Sequence, residues 1–354
     1  MLSPVSPCSS VSSRQPLTSS GSPGATAAPR CAWNSPTLGR RDAVRLGMGG
    51  LLSAMTPSLL GCHASGLSVG KRPDLIWSKR GLSEGRLTKP RAMAIDRQDQ
   101  IFVVDMTGRI QVFDRQGQYL RGWRTPEIAS GRPTGLGIAN DGSLMVADTH
   151  YFRVLFYTPE GQLQADRTIG GTYGTAPAEF HFVTDVVQAP SGRILAGQYG
   201  ELDQIQEFTD QGRFVRRWGQ QGSQLDCFAR PQTLLIDPQG LLWVADACNH
   251  RILQFELESA SPKLIRHFGS PGDQPGQLRY PYGLAWAKDG TLLVAEFGNH
   301  RVQRFSTAGE SLEIWGAPGA GPGQFSSPWA LAVDSTGAIH VLDTLNHRVQ
   351  RFPA

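Results

Sequence analysis

Six copies of one pattern run through the chain from about residue 75 to its end, and the last three are nearly identical. They read VADACNHRILQF, VAEFGNHRVQRF and VLDTLNHRVQRF, over Val244–Phe255, Val294–Phe305 and Val341–Phe352. Weaker copies stand at Val103–Phe113, Val146–Tyr157 and Ala196–Phe208. An acidic residue or its substitute recurs at Asp105, Asp148, Gln198, Asp246, Glu296 and Asp343, in steps of 43, 50, 48, 50 and 47 residues. This period, made of short apolar runs and glycine turns, predicts a propeller-type array of blades.

One repeat is enough to predict the content of a blade. Its apolar or alternating runs are Tyr282–Ala287, Thr291–Ala295, Arg301–Phe305 and Ser311–Trp315, and glycine-containing turns separate them. Four short runs joined by tight turns indicate four antiparallel strands. No long run with a 3.6-residue period occurs between Leu75 and Ala354, so we expect an all-β fold with little helix.

The two ends of the repeat region complement each other. The sixth copy ends at Phe352, after its third strand, and lacks a fourth. Leu75-Ile76-Trp77 is followed by Gly81, Gly85, Leu87 and Pro90, just as Ile314-Trp315-Gly316 is followed by Gly321, Gly323, Phe325 and Pro328. We therefore predict that Asp74–Ser78 is the outer strand of the last blade. The predicted fold is a six-bladed β-propeller of four-stranded antiparallel blades over residues 74–354, closed by its N-terminal strand.

The turn sequences carry a family resemblance. Asn299-His300-Arg301-Val302-Gln303 and Asn346-His347-Arg348-Val349-Gln350 resemble the motif that gives the NHL-repeat family its name, and the resemblance covers residues 74–354. It implies a six-bladed propeller, distantly similar to that of the peptidyl-α-hydroxyglycine α-amidating lyases. The family includes protein-binding, RNA-binding and enzymatic members, so the resemblance leaves the activity open.

The first 73 residues differ in composition from the repeats. Residues 1–38 are rich in Ser, Pro, Thr and Ala and are predicted to be a disordered leader. Residues 39–62 resemble a twin-arginine export signal, with Arg40-Arg41 before a short apolar run, and Leu59-Leu60-Gly61-Cys62 resembles a bacterial lipobox. Residues 63–73 are then a linker. We expect an exported protein on the periplasmic or cell-surface side, anchored to the membrane by a lipid on Cys62. The alternatives are an ordinary signal cleaved near Ala64 and a chance arginine pair.

The charge of the chain argues against nucleic-acid binding. The formal net charge is +4, but residues 1–61 contain five arginines and a single acid, Asp42. Residues 62–354 therefore hold 29 basic and 29 acidic residues. A neutral propeller offers no basic footprint for a phosphate backbone. We expect a monomer that binds a protein or a small molecule.

Two cysteines fall in the propeller. Cys227 precedes blade four, and Cys248 lies in the second hairpin of that blade. Both loops should reach the same rim, and an exported chain with two such cysteines is a disulfide candidate. The amidating lyases carry a disulfide between the matching loops, so the resemblance also implies a bridge between Cys227 and Cys248. The alternative is two unrelated small residues.

The turn residues suggest structure rather than chemistry. His250, His300 and His347 occupy one turn position in three blades, so they start far apart around the ring and are interpreted as hairpin caps. No metal site is predicted from them. The acids and arginines five residues apart (Asp148/Arg153, Asp246/Arg251, Glu296/Arg301 and Asp343/Arg348) are interpreted as ion pairs that hold the hairpin. An acidic ring around a cation is the alternative.

The start of each inner strand provides the candidate binding site. The residue after the loop proline, or after valine in blade three, is Arg91, Thr134, Thr184, Gln232, Tyr282 or Trp329. Equivalent positions must ring one mouth of the central channel, and Trp, Tyr and Arg are common in binding hot spots. Tyr282 and Trp329 lie in adjacent blades and could form an apolar wall, with Arg91 beside it. Asp185, next to Thr184, completes the site on the blade-three side.

The ring also limits the enzymatic alternative. The amidating lyases carry zinc histidines at these positions, whereas none of the six residues here is His, and Ala247 replaces their tyrosine before the loop cysteine. Blade three departs most from the repeat, at His181, Asp185, Gln198, Tyr199 and Glu201. Either the repeat has degenerated there without a function, or blade three carries a functional site. The sequence therefore favours a binding module without a predicted cofactor. The alternative is a small-molecule lyase or hydrolase with a metal in the channel.

Overall fold

Each repeat folds into a four-stranded antiparallel sheet, as its apolar runs predict. The computed structural model describes residues 71–259 and 261–354. Blade one contains β2 (Pro90–Ile95), β3 (Ile101–Asp105), β4 (Arg109–Phe113) and β5 (Tyr119–Arg124). Blade two contains β6 (Gly135–Ile138), β7 (Leu144–Asp148), β8 (Arg153–Tyr157) and the short β9 (Ile169–Gly170). Blade three contains β10 (Phe182–Gln188), β11 (Ile194–Tyr199), β12 (Gln204–Phe208) and β13 (Phe214–Trp218).

The second half of the domain follows the same order. Blade four contains β14 (Pro231–Ile236), β15 (Leu242–Asp246), β16 (Arg251–Glu256) and β17 (Lys263–Phe268). Blade five contains β18 (Pro281–Trp286), β19 (Leu292–Glu296), β20 (Arg301–Phe305) and β21 (Ser311–Trp315). Blade six contains β22 (Pro328–Val333), β23 (Ile339–Asp343), β24 (Arg348–Phe352) and β1 (Leu75–Trp77). The helical segments in the described part of the chain are 3-10 turns at Thr149–Tyr151, Ala165–Arg167, Ala247–Asn249 and Thr344–Asn346.

The first strand closes the ring, which confirms the predicted closure. β1 pairs antiparallel with β24, with Ile76 opposite Gln350 and Trp77 opposite Val349. The indole of Trp77 is buried and lies 4.7 Å from the ring of Phe113 in blade one. The inner strands β2, β6, β10, β14, β18 and β22 contact one another in this order, and β22 contacts β2. The last blade is therefore joined to both of its neighbours.

The ion pairs predicted within the hairpins are confirmed, and they also hold the loops between blades. In blade four the Nε of Arg251 donates to Asp246 at 2.8 Å. The remaining N–H groups of Arg251 donate to the carbonyls of Ser223, Gln224 and Cys227 in the preceding loop. Burial of a guanidinium is tolerated when it is paired and its donors are satisfied, so one acid–arginine pair stabilises both hairpin and loop.

Candidate functional site

The residues predicted to ring the channel mouth occupy a shared backbone irregularity. In five blades the inner strand carries a β-bulge, where one residue has no partner on the second strand. The unpaired residues are Arg91, Thr184, Gln232, Tyr282 and Trp329. In blade two Thr134 stands directly before β6. A bulge re-aims a side chain out of the regular alternation, which is why this position can serve the mouth.

Three of the predicted residues meet in one cluster. The rings of Tyr282 and Trp329 lie edge to face, 4.9 Å apart, and Phe297 stacks on Tyr282 at 4.7 Å. The guanidinium of Arg91 lies over the indole of Trp329 at 5.1 Å. The sequence-based expectation that Tyr282 and Trp329 are neighbours, with Arg91 beside them, is therefore met in the structure. Both rings are largely buried, with Tyr282 and Trp329 each 3% exposed.

The electrostatic setting of Arg91 is unusual. Among the described residues, no acceptor forms a hydrogen bond or ion pair with its guanidinium, which rests on the indole face alone. Burial lowers the pKa of Arg91, and the positive charges of Arg230 and Arg132 lower it further. Three arginines thus share one side of the mouth, and this arrangement favours a bound anion.

Arg230, a member of this cluster, was missed by sequence reasoning. The guanidinium of Arg230 lies 4.5 Å from the ring of Tyr199 and 5.4 Å from that of Tyr282, so it bridges blades three and five. Arg230 precedes Pro231 and has a positive φ of 61°. Only the residue after the loop proline was considered in the sequence. A bulky charged residue just before that proline is the signal that could have found Arg230.

The other polar residues of the ring are engaged within the fold. The hydroxyl of Thr134 lies 2.8 Å from that of Thr149 and 3.2 Å from the carbonyl oxygen of Thr184. The hydroxyl of Thr184 donates to the carbonyl of Pro231 at 2.5 Å. Gln232 accepts a hydrogen bond from Arg230 at 2.9 Å. The structure therefore places these residues at the mouth, where the threonines join neighbouring blades and Gln232 orients Arg230.

Asp185 lines the channel behind the ring. A cavity of about 290 Å³ runs along the inner strands, and its charged lining residues are Arg91 and Asp185. Asp185 is 7% exposed, and its Oδ2 accepts a hydrogen bond from the backbone N–H of Leu234 at 3.0 Å. Burial raises the pKa of Asp185 to about 7, against the opposing effect of backbone hydrogen bonds from Leu234 and Val186. An acid with this pKa can change its charge when a ligand binds.

The turn histidines connect blades instead of meeting at one site. The Nδ1 atoms of His250, His300 and His347 each accept a hydrogen bond from a backbone N–H of the next blade, those of Tyr280, Ser327 and Lys89, at 2.9–3.1 Å. Burial lowers the pKa of all three imidazoles. Within the described residues, no group of three or more His, Cys, Asp or Glu side chains could hold a metal ion.

The predicted disulfide between Cys227 and Cys248 is not formed. Cys227 is a buried free thiol in the structure. Its sulfur lies 3.4 Å from Gln220 Nε2 and packs inside its own loop, where a Cβ on Gly222 would be 3.2 Å away. The loops themselves do meet, because the N–H of Cys248 donates to the carbonyl of Ala229 at 2.9 Å. Neighbouring loops are insufficient for a bridge when one thiol is turned into its own loop. The predicted lipidation site, Cys62, lies outside the described residues.

Comparisons with known proteins agree with this geometry. The NHL repeat matches residues 228–255, 278–305 and 325–352. Over 204 residues the chain is 31% identical to the peptidylglycine alpha-amidating monooxygenase of Rattus norvegicus, which corresponds to 54% of this chain. The match spans about a fifth of that relative (20%).

Solved structures share the architecture at low sequence identity. A protein of unknown function from Bacteroides thetaiotaomicron is 10% identical with a TM-score of 0.62, covering 80% of this chain and 76% of that one. A streptogramin B lyase is 13% identical with a TM-score of 0.56, covering 77% and 95%. The virginiamycin B lyase of Staphylococcus aureus, solved with quinupristin, is 18% identical with a TM-score of 0.52, covering 78% and 87%. These similarities concern the fold. The chain thus carries three matched NHL repeats on a six-bladed β-propeller, and both findings support the NHL-repeat propeller family.

Proposed function

We propose that the propeller is a binding module whose channel mouth takes an anionic group of a small molecule or of a protein partner. Arg91 provides the positive charge, and Trp329, which lines the cavity and packs on Tyr282, provides an apolar wall beside it. Carboxylate and phosphate groups fit this chemistry, because a guanidinium recognises both through paired charged hydrogen bonds.

One observation carries the proposal. The guanidinium of Arg91 is partly buried, it lies near Arg132 and Arg230, and it has no acceptor among the described residues. Placing a partly buried charge beside two other positive charges without an acceptor is unfavourable. Local arrangements that oppose folding in this way are found preferentially at functional sites. An incoming anion would supply the missing acceptors.

The proposal is tested with 3-phenylpropionate, a small carboxylate that carries an aromatic ring. Isothermal titration calorimetry should detect binding to the propeller, and Arg91→Gln should weaken it roughly tenfold to a hundredfold. Arg213→Gln is the matched control, since Arg213 is exposed on the outer hairpin of blade three and loses the same charge. Equal affinity in the Arg91→Gln variant and the unchanged protein would refute the proposed anion site.

We also propose that the chain is exported and anchored to a bacterial membrane by a lipid on Cys62. This rests on the sequence around Arg40-Arg41 and Leu59–Cys62. In the described part of the chain, no helix is long and apolar enough to cross a membrane. A lipid on Cys62 would place the propeller at a membrane surface.

A small-molecule lyase or hydrolase is the second candidate, and the 31% identity to an enzyme, the peptidylglycine alpha-amidating monooxygenase, supports an enzymatic role. None of the six ring positions carries a histidine, so catalysis at this mouth would draw on other polar residues, such as Arg91, Tyr282 and Asp185. Metal analysis of the purified protein distinguishes the candidates. A stoichiometric metal that is lost in a mouth variant would favour the enzyme.

A further inference from the structure

Directly after the six mouth residues, the inner strands carry a second ring of residues. Asp185 is the ionisable member of this second ring. The positions that directly follow the six mouth residues hold Ala92, Gly135, Asp185, Thr233, Gly283 and Ala330. Five of these residues are small and carry no charge, as close approach of neighbouring inner strands requires. At Gly283, for example, a Cβ would lie 2.9 Å from the carbonyl oxygen of Trp329. Only blade three places an ionisable side chain at this level.

The fold makes room for this carboxyl group. A Cβ on Gly135 would lie 2.6 Å from Asp185 Oδ1, so only a glycine at this position of blade two leaves space for the carboxyl. On the other side, Oδ2 accepts the N–H of Leu234 in blade four. The carboxyl is thus held between two neighbouring blades, and its orientation is set by backbone on both sides.

Among the residues that the structure describes, no positive side chain neutralises Asp185. The raised pKa has burial as its cause, and backbone hydrogen bonds alone oppose it. The elements packed against β10 are β6, β7, β8, β11, β14 and the turn at Thr149–Tyr151. Their ionisable residues are Asp148, His150, Tyr151, Arg153, Tyr157 and Tyr199. None of these six contributes to the raised pKa of Asp185.

The cavity brings Asp185 together with Arg91. Both residues line the same space of about 290 Å³, together with apolar side chains such as Leu136, Leu234 and Trp329. This volume suits a small molecule, at the lower end of the range of ligand pockets. Arg91 provides a cation and Asp185 provides an acid in the lining of this cavity, and the remaining lining is mostly apolar.

We propose that Asp185 is a second recognition residue, which takes the ammonium group of a small amphoteric ligand whose anionic group lies at Arg91. The ligand class is an amino-acid-like zwitterion with an apolar or aromatic side chain. This inference rests on the proposed function of the mouth. Binding of the ammonium group stabilises the ionised carboxylate, so a protonated Asp185 releases its proton when the ligand binds.

Three probes separate the contribution of the carboxylate, which Arg91 binds, from that of the ammonium group, which Asp185 binds. L-Phenylalanine carries the carboxylate, the ring and the ammonium group, 3-phenylpropionate lacks the ammonium group, and 2-phenylethylamine lacks the carboxylate. We expect the unchanged protein to bind phenylalanine about tenfold more tightly than 3-phenylpropionate and to bind 2-phenylethylamine weakly. Asp185→Asn should abolish the tenfold preference while leaving the affinity for 3-phenylpropionate unchanged. Asp210→Asn is the matched control, since Asp210 is exposed in the same blade.

A second measurement uses the unchanged protein, so its result does not depend on whether the Asp185→Asn variant folds. At pH 7, where a carboxyl with a pKa of about 7 is about half protonated, phenylalanine binding should release about half a proton, seen as a dependence of the binding enthalpy on the ionisation enthalpy of the buffer. No proton release, or equal affinity for phenylalanine and 3-phenylpropionate, overturns the role of Asp185. In that case binding of 3-phenylpropionate that still depends on Arg91 leaves the anion site intact. Loss of the Arg91 dependence refutes the proposed function and this inference together.

Discussion

The imidazole of His300 accepts a hydrogen bond from the backbone N–H of Ser327 at 2.9 Å, and this bond joins blade five to blade six. Both residues have positive φ angles, 56° for His300 and 54° for Ser327. The N–H of such a turn residue has no ladder partner, so the imidazole satisfies it. His250 and His347 form the same connection at two other blade junctions. The histidine of the repeat is thus a connector between blades.

These connections predict acid sensitivity. Nδ1 can accept a hydrogen bond only when it is unprotonated, and burial lowers the pKa of His250, His300 and His347 below the ordinary value of 6.5. Their contribution to stability is therefore present above pH 6.5 and is lost as the pH falls from 6.5 towards the lower folded-state pKa. We expect the melting temperature to decrease over this interval.

Substitution of one connector tests this expectation. His300→Gln should lower the free energy of unfolding by about 1 kcal/mol at pH 7.5 and should reduce the fall in stability towards pH 5. His267→Gln is the control, because His267 is exposed on the outer strand of blade four. A pH dependence that is identical in the His300→Gln variant and the unchanged protein would show that this imidazole does not contribute to it.

Closure by β1 predicts a strong effect of truncation. Deletion of residues 71–80 removes β1, including the buried Trp77, and leaves β24 as an open edge. We expect the truncated propeller to lose cooperative unfolding in differential scanning calorimetry, or to aggregate. The milder variant Trp77→Ala should lower the free energy of unfolding by about 3–5 kcal/mol. A truncated protein that melts as high and as sharply as the intact one would contradict closure by this strand.

Arg91 should show opposite effects on binding and stability. Its charge is partly buried near Arg132 and Arg230, and these surroundings lower its pKa, so they destabilise the charged form in the folded state. Arg91→Gln should therefore melt at an equal or higher temperature than the unchanged protein while it loses affinity for the anionic probe. A clear decrease in melting temperature would indicate that Arg91 is a structural residue.

Trp329 should contribute both to the stability of the propeller and to its affinity for the anionic probe. The indole is 3% exposed and contacts Tyr282 and Phe297, so Trp329→Ala opens a cavity. We expect a loss of about 3–5 kcal/mol in the free energy of unfolding and a weaker affinity for 3-phenylpropionate, because Arg91 loses its supporting ring. Calorimetry and thermal melting on the same variant separate the two effects. Unchanged binding in a destabilised variant would assign Trp329 to packing alone.

The proposed anchor is tested by fractionation. Cys62→Ser should convert a membrane-associated protein into a soluble one, because acyl chains contribute about 0.8 kcal/mol per buried CH₂. Lysines in place of Arg40 and Arg41 should block export. A Cys62→Ser protein that still sediments with the membrane would rule out the lipid anchor.

The architecture could be predicted from the sequence because a repeat is a local property. Short apolar runs and glycine turns decide strand length, and their recurrence every 43–50 residues decides the number of blades. The motif around Ile76 even predicted which strand closes the ring, since its surroundings repeat those of Ile314. Alignment of the repeats also located the six mouth positions, because equivalent positions on equivalent strands meet around the axis.

What each mouth residue does was decided by the tertiary structure. Thr184 bonds the carbonyl of Pro231, 47 positions away, and Arg91 lies over Trp329 from the other end of the chain. Cys227 is turned into its own loop although the loop of Cys248 is adjacent. Such contacts depend on the packing between blades, because a shift of a few tenths of an ångström in a side-chain position is enough to make or break them. Periodicity determined where side chains gather, whereas the close packing of the folded ring determined which of them remain without a partner.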